Sequence, residues 1–249
     1  MRQPLGWCHA AAVTDDPLAP LLGLPGVPEA VDASRAAVDR LLKERVLQTR
    51  RREVRAEALR RAALATTALD DGSASPSVVA SPGALRMLRE VRAMSQVWGR
   101  APLQALARLH TLAAAGTVPD DELGRPRDDP ATSARLTQLS ATVTTSQAPG
   151  VVVAAVVHGE LLALAPFDAA NGLVARAAGR LVLVQRGVDP DALTVPEEGL
   201  LRLGLDRYRQ AAAAFAAGTS AGVAEWVTLV AASLQGGAAI GRQICAELP

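Results

Sequence analysis

Aromatic residues make up only 2% of this 249-residue chain. A core built on stacked rings is excluded, so the interior has to be assembled from closely packed Leu, Val and Ala, a composition that favours helices. Lysine is nearly missing too: Lys43 is the single one, the remaining cations are arginines, and the formal net charge is +1. So balanced a chain has no global field to draw in nucleic acid or an anionic membrane. The two cysteines, Cys8 and Cys245, lie near opposite ends without metal-ligand spacing, which points to no metal site and to a reduced, cytoplasmic protein. Long clean apolar runs are lacking. Residues 151–164 are interrupted by His158 and Glu160, and residues 211–240 by Glu225 and several glycines, so neither reads as a bilayer span. Residues 1–28 are rich in Pro, Leu and Gly but have no basic segment followed by an uninterrupted apolar stretch; they read as a loosely ordered arm rather than a signal peptide.

What is present is a large apolar share, 49% of the residues, enough to bury a sizeable core in one large or two small domains. Residues 29–69 carry apolar side chains at helical spacing, through Val31, Leu41, Leu42, Val46, Val54, Leu59 and Leu64, and predict one long helix or a kinked pair. The arginines of residues 50–61 are interleaved with Glu53 and Glu57, as on a solvated helix face. Asp70, Asp71, Gly72 and the Ser/Pro-rich stretch to Pro82 stop the pattern and form a linker. Helical spacing resumes over residues 83–98 and 101–115, breaks through Gly116 to Pro130, and returns over 131–144, 150–164, 172–185, 197–217 and 219–240. The chain thus divides into an arm at 1–28, a helical segment with linker at 29–82, and a core at 83–249.

One segment carries chemistry. Residues 165–176 read Ala165-Pro166-Phe167-Asp168-Ala169-Ala170-Asn171-Gly172-Leu173-Val174-Ala175-Arg176. The stretch resembles the Fic-family signature H-P-F-x-[DE]-G-N-G-R-x-x-R, agreeing at Pro166, Phe167, Asn171, Gly172 and Arg176. His158 stands seven residues ahead of it, Leu109-His110 precedes a loop holding Gly124-Arg125, and Tyr208 and Trp226 follow, all as in that family. The resemblance runs over about residues 29–240. It implies an all-α, Fic-like helical bundle with a short β-hairpin flap near residues 116–130, and self-association into a homo-oligomer.

The physics of such a signature makes each departure consequential. A loop delivers a general base to a hydroxyl, a carboxylate holds Mg²⁺ against phosphates, and the next helix offers backbone N–H groups to the anion. Here Ala165 stands at the histidine position, Ala169 at the carboxylate and Leu173 at the first arginine, so base, metal ligand and guanidinium fork are missing together. Ala170 replaces a glycine and disfavours a positive-φ turn. Asp168 is one position off the lost acid and His158 about two helical turns from the lost base, so neither is a ready substitute.

What remains is Asn171-Gly172 opening a helix, with Arg176 one turn in: an anion or nucleotide site remnant, or a helix cap and a structural ion pair. The family's inhibitory pattern [ST]-x-x-x-E-[GN] is resembled by Thr67-Ala68-Leu69-Asp70-Asp71-Gly72, which predicts an Asp71–Arg176 ion pair. The expectation is a catalytically degenerate protein with no catalytic residue, no metal and no required cofactor, acting on a protein partner through its groove or flap. Weak ATP or other nucleotide binding, with residual transfer to a protein hydroxyl, is the alternative.

Overall fold

Prolines and small hydroxylated or acidic residues punctuate the chain and set where its helices begin. The structure, a computed structural model, describes residues 16–248. Among them are ten α-helices: α1 Val27–Leu42, α2 Leu47–Asp71, α3 Pro82–Trp98, α4 Pro102–Ala114, α5 Pro130–Thr145, α6 Gly150–Leu164, α7 Asn171–Gln185, α8 Pro196–Leu203, α9 Leu205–Ala216 and α10 Ser220–Glu247. Proline stands in the first turn of α3, α4, α5 and α8, where its missing N–H costs no intrahelical bond. Side-chain caps hold three starts. Ser81 Oγ accepts from Ala84 N–H at 3.2 Å, Asp129 Oδ1 from Thr132 N–H at 2.8 Å, and Thr219 Oγ1 from Gly222 N–H at 3.1 Å.

Helix α6 is apolar all round and every residue from Val151 to Gly159 is buried, so it is the central helix of the bundle. Helix α7 packs antiparallel beside it, and α3 lies on α7 with α4 beside α3. Helix α10 closes the other side against α1, α8 and α9, and α2 lies over α3, α7 and α8. By length and composition α10 could cross a membrane, but more than half of its apolar window is buried inside this bundle.

The near absence of rings is answered by close approach of backbones. A Cβ on Gly83 would come within 2.1 Å of the Ala113 carbonyl oxygen, and one on Gly199 within 2.1 Å of that of Ser233, so α3–α4 and α8–α10 touch main chain to main chain. Three of the few rings gather at one place: Tyr208, Phe215 and Trp226 cluster with His158 around Gly159, where a Cβ would meet Phe215 and Trp226 at 2.7 Å.

Several sequence expectations need adjustment. The pattern over 29–69 resolves into α1 and α2, with Arg50 non-helical at φ −116° inside α2. The single helix expected over 197–217 is two, because Gly204 at φ 102° ends α8 and starts α9. No β-hairpin forms among the described residues of the expected flap. Turns fill residues 116–129, with one isolated bridge between Ala115 and Val118, since Gly, Pro and Asp there supply turn chemistry and no alternating apolar pattern. Residues 1–15 of the expected arm, with Cys8, lie outside the described residues. Beyond them the Asp16 carboxylate accepts from the N–H of Gln147 at 2.7 Å, Leu18 is buried, and Ala19–Gly23 form a 3-10 turn leading into α1.

Candidate functional site

Residues 165–170 are the turn between the two most buried helices, so the loop is held by the core on both sides. Ala165, the cap of α6, and Ala170, which precedes α7, both adopt left-handed backbone at φ 44° and φ 56°. The turn therefore keeps a glycine-type geometry with alanine in it, at a cost of about 1 kcal/mol for each residue. Asn171 does not cap α7. Its amide folds back on the loop, where Oδ1 accepts from Phe167 N–H at 2.9 Å and Nδ2 donates to the Phe167 carbonyl at 2.7 Å. The Phe167 ring is buried and stacks on His110 from α4, with centroids 4.1 Å apart and planes 4° from parallel.

His110 Nδ1 accepts from Gly124 N–H at 2.9 Å, so the neutral ring carries its proton on Nε2, which is buried without a hydrogen-bond partner among the described residues. Burial lowers its pKa, opposed by Asp168 and by the Ala169 backbone. His158 on α6 is deeper. Its Nε2 meets the Tyr208 hydroxyl at 2.9 Å, its ring sits edge-on to Trp226, and burial, then the Arg176 charge, push its pKa down to about 3. The ring is therefore neutral, with Nε2 hydrogen-bonded to the phenol. Burial raises the Tyr208 pKa, and Arg176 opposes that rise.

Arg176 is only 5% exposed. Its Nε donates to Thr66 Oγ1 at 2.6 Å, and Nη2 donates to the Thr66 carbonyl and to Asp70 Oδ1, both at 3.1 Å. The carboxylate partner is thus Asp70, not Asp71, which is exposed. Thr66 and Asp70 keep the four-residue spacing of the expected Thr67 and Asp71 but lie one residue earlier, about 100° round the helix. Thr67 acts elsewhere. Its hydroxyl donates to the Ala63 carbonyl at 2.8 Å and accepts from Ser81 N–H at 2.9 Å, tying the linker to α2. Gly72, at φ 74°, terminates α2 in the left-handed conformation.

Asp70 also reaches the start of α7. A Cβ on Gly172 would lie 2.6 Å from Asp70 Oδ1, so glycine is what lets this carboxylate rest against the first turn, at the positive end of the helix dipole. Asp70 thus stands beside this terminus while its hydrogen bond goes to Arg176.

Beside it a groove of about 470 Å³ opens between the end of α2, the start of α3, the end of α4 and the loop, lined by Asp70, Ser81, Thr117, Ala169, Ala170 and Leu173 among others. Arg86 in this groove is engaged: Nε donates to the Leu112 carbonyl at 3.0 Å and Nη2 to that of Ala115 at 2.8 Å. Arg176 does not line it but faces an inner cavity of about 30 Å³ shared with His158, Arg180 and Glu197. The donor set does not fit the Mg²⁺ of a nucleotidyl transferase. Asp70 is the one acid in the lining and is paired with Arg176, Ala169 has no side-chain oxygen, the exposed Asp168 is not part of the lining, and no cluster of three His, Cys, Asp or Glu side chains suited to a metal occurs among the described residues.

The helix order, with an antiparallel buried pair joined by a Pro-Phe loop, defines a Fic-like fold. Solved structures bear this out. The chain is similar to a Fic family protein from Desulfovibrio desulfuricans G20, with a TM-score of 0.66, 21% identity, and 88% of this chain and 74% of that one covered. It is also similar to a fragment of Fic-1 from C. elegans, with a TM-score of 0.61, 15% identity, and 89% of this chain and 72% of that one covered. No protein-family model and no curated protein matches the sequence.

Sequence reasoning found the loop, His110, His158 and Arg176. It missed Thr66 and Asp70 because the motif pattern fits better one residue later, where Gly72 takes the [GN] place that Asp71 would otherwise hold, and only the face that α2 turns to α7 selects the earlier register. It also missed Tyr208 as the partner of His158, a contact fifty positions apart that no local pattern announces.

Proposed function

We propose that this chain is a catalytically degenerate Fic-like protein that works as a protein-interaction or regulatory module. The carrying observation is the position of Asp70, whose carboxylate pairs with Arg176 and lies against the start of α7, the place where a Fic-type enzyme would hold phosphate. With Ala165, Ala169 and Leu173 in place of base, metal ligand and first arginine, no side chain in the loop is set to move a proton or stabilise a transferred phosphoryl group. An interaction role is supported by Val78 and Val79, 97% and 77% exposed in the loop that leads from α2 to the rim of the groove. Adjacent exposed valines beside an open groove suit a protein partner.

A second reading, residual nucleotide binding, draws on the groove itself, which is large enough for a nucleotide and not filled by side chains. One set of measurements separates the two. The wild-type chain, mixed with labelled ATP, Mg²⁺ and candidate protein acceptors, is expected to transfer no label and to give no calorimetric binding heat. Transfer or saturable binding that Arg176→Ala abolishes would overturn the degenerate reading. The variant Ala165→His, Ala169→Glu, Leu173→Arg, combined with Asp70→Ala, is expected to gain transfer, because base, metal ligand and phosphate grip return together and the competing carboxylate is gone.

A further inference from the structure

The described arginines of α2 are not distributed evenly with respect to acid. Arg50 meets Glu53 at 2.5 Å, Arg60 meets Glu57 at 2.7 Å, Arg61 meets Glu198 at 2.7 Å, and Arg51 pairs with Asp191. Among the described residues Arg52 and Arg55 make no such pair, nor does Arg89 across the way on α3. These three line one groove of about 300 Å³ between α2 and α3, together with Arg92 and, from α7, the buried Arg180. The other lining residues, Ala56, Leu59, Ala62, Leu88 and Ala192, are apolar, so five arginines and no acidic residue line the groove. Only two of the five are neutralised from outside the lining: Arg92 by Asp191 at 3.3 Å and Arg180 by Glu197 at 2.8 Å.

We propose that this groove is a binding site for a compact polyanion, a small molecule carrying two or more phosphate groups. Three unpaired guanidinium groups in one concavity repel each other, and in a chain of net charge +1 they are a local concentration rather than part of a general basic field. A multiply charged anion removes that repulsion, and the planar forks of Arg52, Arg55 and Arg89 suit phosphate oxygens two at a time. Arg55 is half-buried, so part of the charge sits where water screens it less. The volume matches a small ligand. No aromatic side chain lines the groove, so nothing there stacks a base, and a nucleic acid strand has no stacking platform in it. None of the lining residues belongs to the groove beside the signature loop, so this site is independent of the Fic-type remnant and of the function proposed for it.

The test is calorimetric titration of the full chain with sodium tripolyphosphate at low ionic strength. Saturable one-to-one binding is expected, weakening as salt is raised. Arg52→Gln, Arg55→Gln, Arg89→Gln together should raise the Kd at least about tenfold, since three charge-assisted contacts are lost. Arg100→Gln, Arg108→Gln, Arg207→Gln removes the same charge from exposed positions elsewhere and should leave the Kd within about twofold. The pair Arg52→Gln, Arg89→Gln alters only exposed side chains, so its fold is secure, and it should show a loss of the same direction. Absence of saturable heat, an equal loss in the two triple variants, or tighter binding of a single-stranded oligonucleotide than of tripolyphosphate would each overturn the proposal.

Discussion

A single register step on α2 decides what Arg176 does. Thr66 and Asp70 face it, Thr67 serves the linker, and Asp71 faces solvent. Replacing Asp70 with Asn leaves a buried guanidinium with neutral partners only; because Asp70 itself is 38% exposed, water recovers part of the loss. Urea denaturation should therefore show a cost of about 1–2 kcal/mol for Asp70→Asn and under about 0.5 kcal/mol for Asp71→Asn. The reverse order would return the pairing to the register that the motif alone suggests. The loop's alanines make a second case. Ala170 occupies a left-handed conformation that its Cβ opposes, so Ala170→Gly should raise stability by about 0.5–1 kcal/mol despite the added freedom of the unfolded chain, which a melting curve can resolve. The sequence showed that glycine was missing there. It did not show that the turn would persist without it, because the core on both sides of the loop outweighs a strain of that size.

At the scale of elements, α7 is anchored twice by buried arginines one turn apart. Arg176 ties it to α2, and Arg180 ties it to α8 through Glu197, whose carboxylate is 2% exposed and uses only Oε2. Removing one member of such a pair strands a buried charge, whereas removing both does not. Glu197→Gln is expected to cost about 3–5 kcal/mol and Arg180→Met with Glu197→Leu much less, measured by equilibrium unfolding of the single and double variants. Helix contacts through bare backbone form the other device. Gly199→Ala would drive a methyl into the Ser233 carbonyl, so α8 must move off α10; a loss above about 2 kcal/mol is expected by the same measurement. Helix positions were legible from periodicity and from Pro, Gly and capping residues, which act locally. The division at Gly204 and the failure of residues 116–129 to pair as strands were not, since each depends on what the neighbouring chain packs against.

For the molecule as a whole, the titrating interior is histidine. His158 falls from an ordinary 6.5 to about 3 because burial penalises its charged form. Its folded pKa lies below the unfolded one, so its contribution is complete above about pH 6.5 and is lost as pH falls toward 3. His110 shifts in the same direction for the same cause. Stability measured at pH 4.5 should be lower than at pH 7 by about 2–3 kcal/mol from His158 alone, and His158→Gln, whose amide can still hydrogen-bond Tyr208, should remove most of that difference. Unchanged pH dependence in the variant would mean that the ring is not held neutral by burial.

By itself the sequence determined the all-helical class, most helix limits and the loop that resembles a Fic signature, because periodicity, breakers and a short contiguous motif are local properties. It also determined which chemical groups are missing at Ala165, Ala169 and Leu173. Tertiary structure alone decided what stands beside the Fic-like loop. Asp70 rests on α7 because α2 crosses that helix with one particular face, and three arginines from α2 and α3 share a groove because those helices pack side by side. Both outcomes depend on the rotation and contact of helices distant in sequence, which no local pattern specifies.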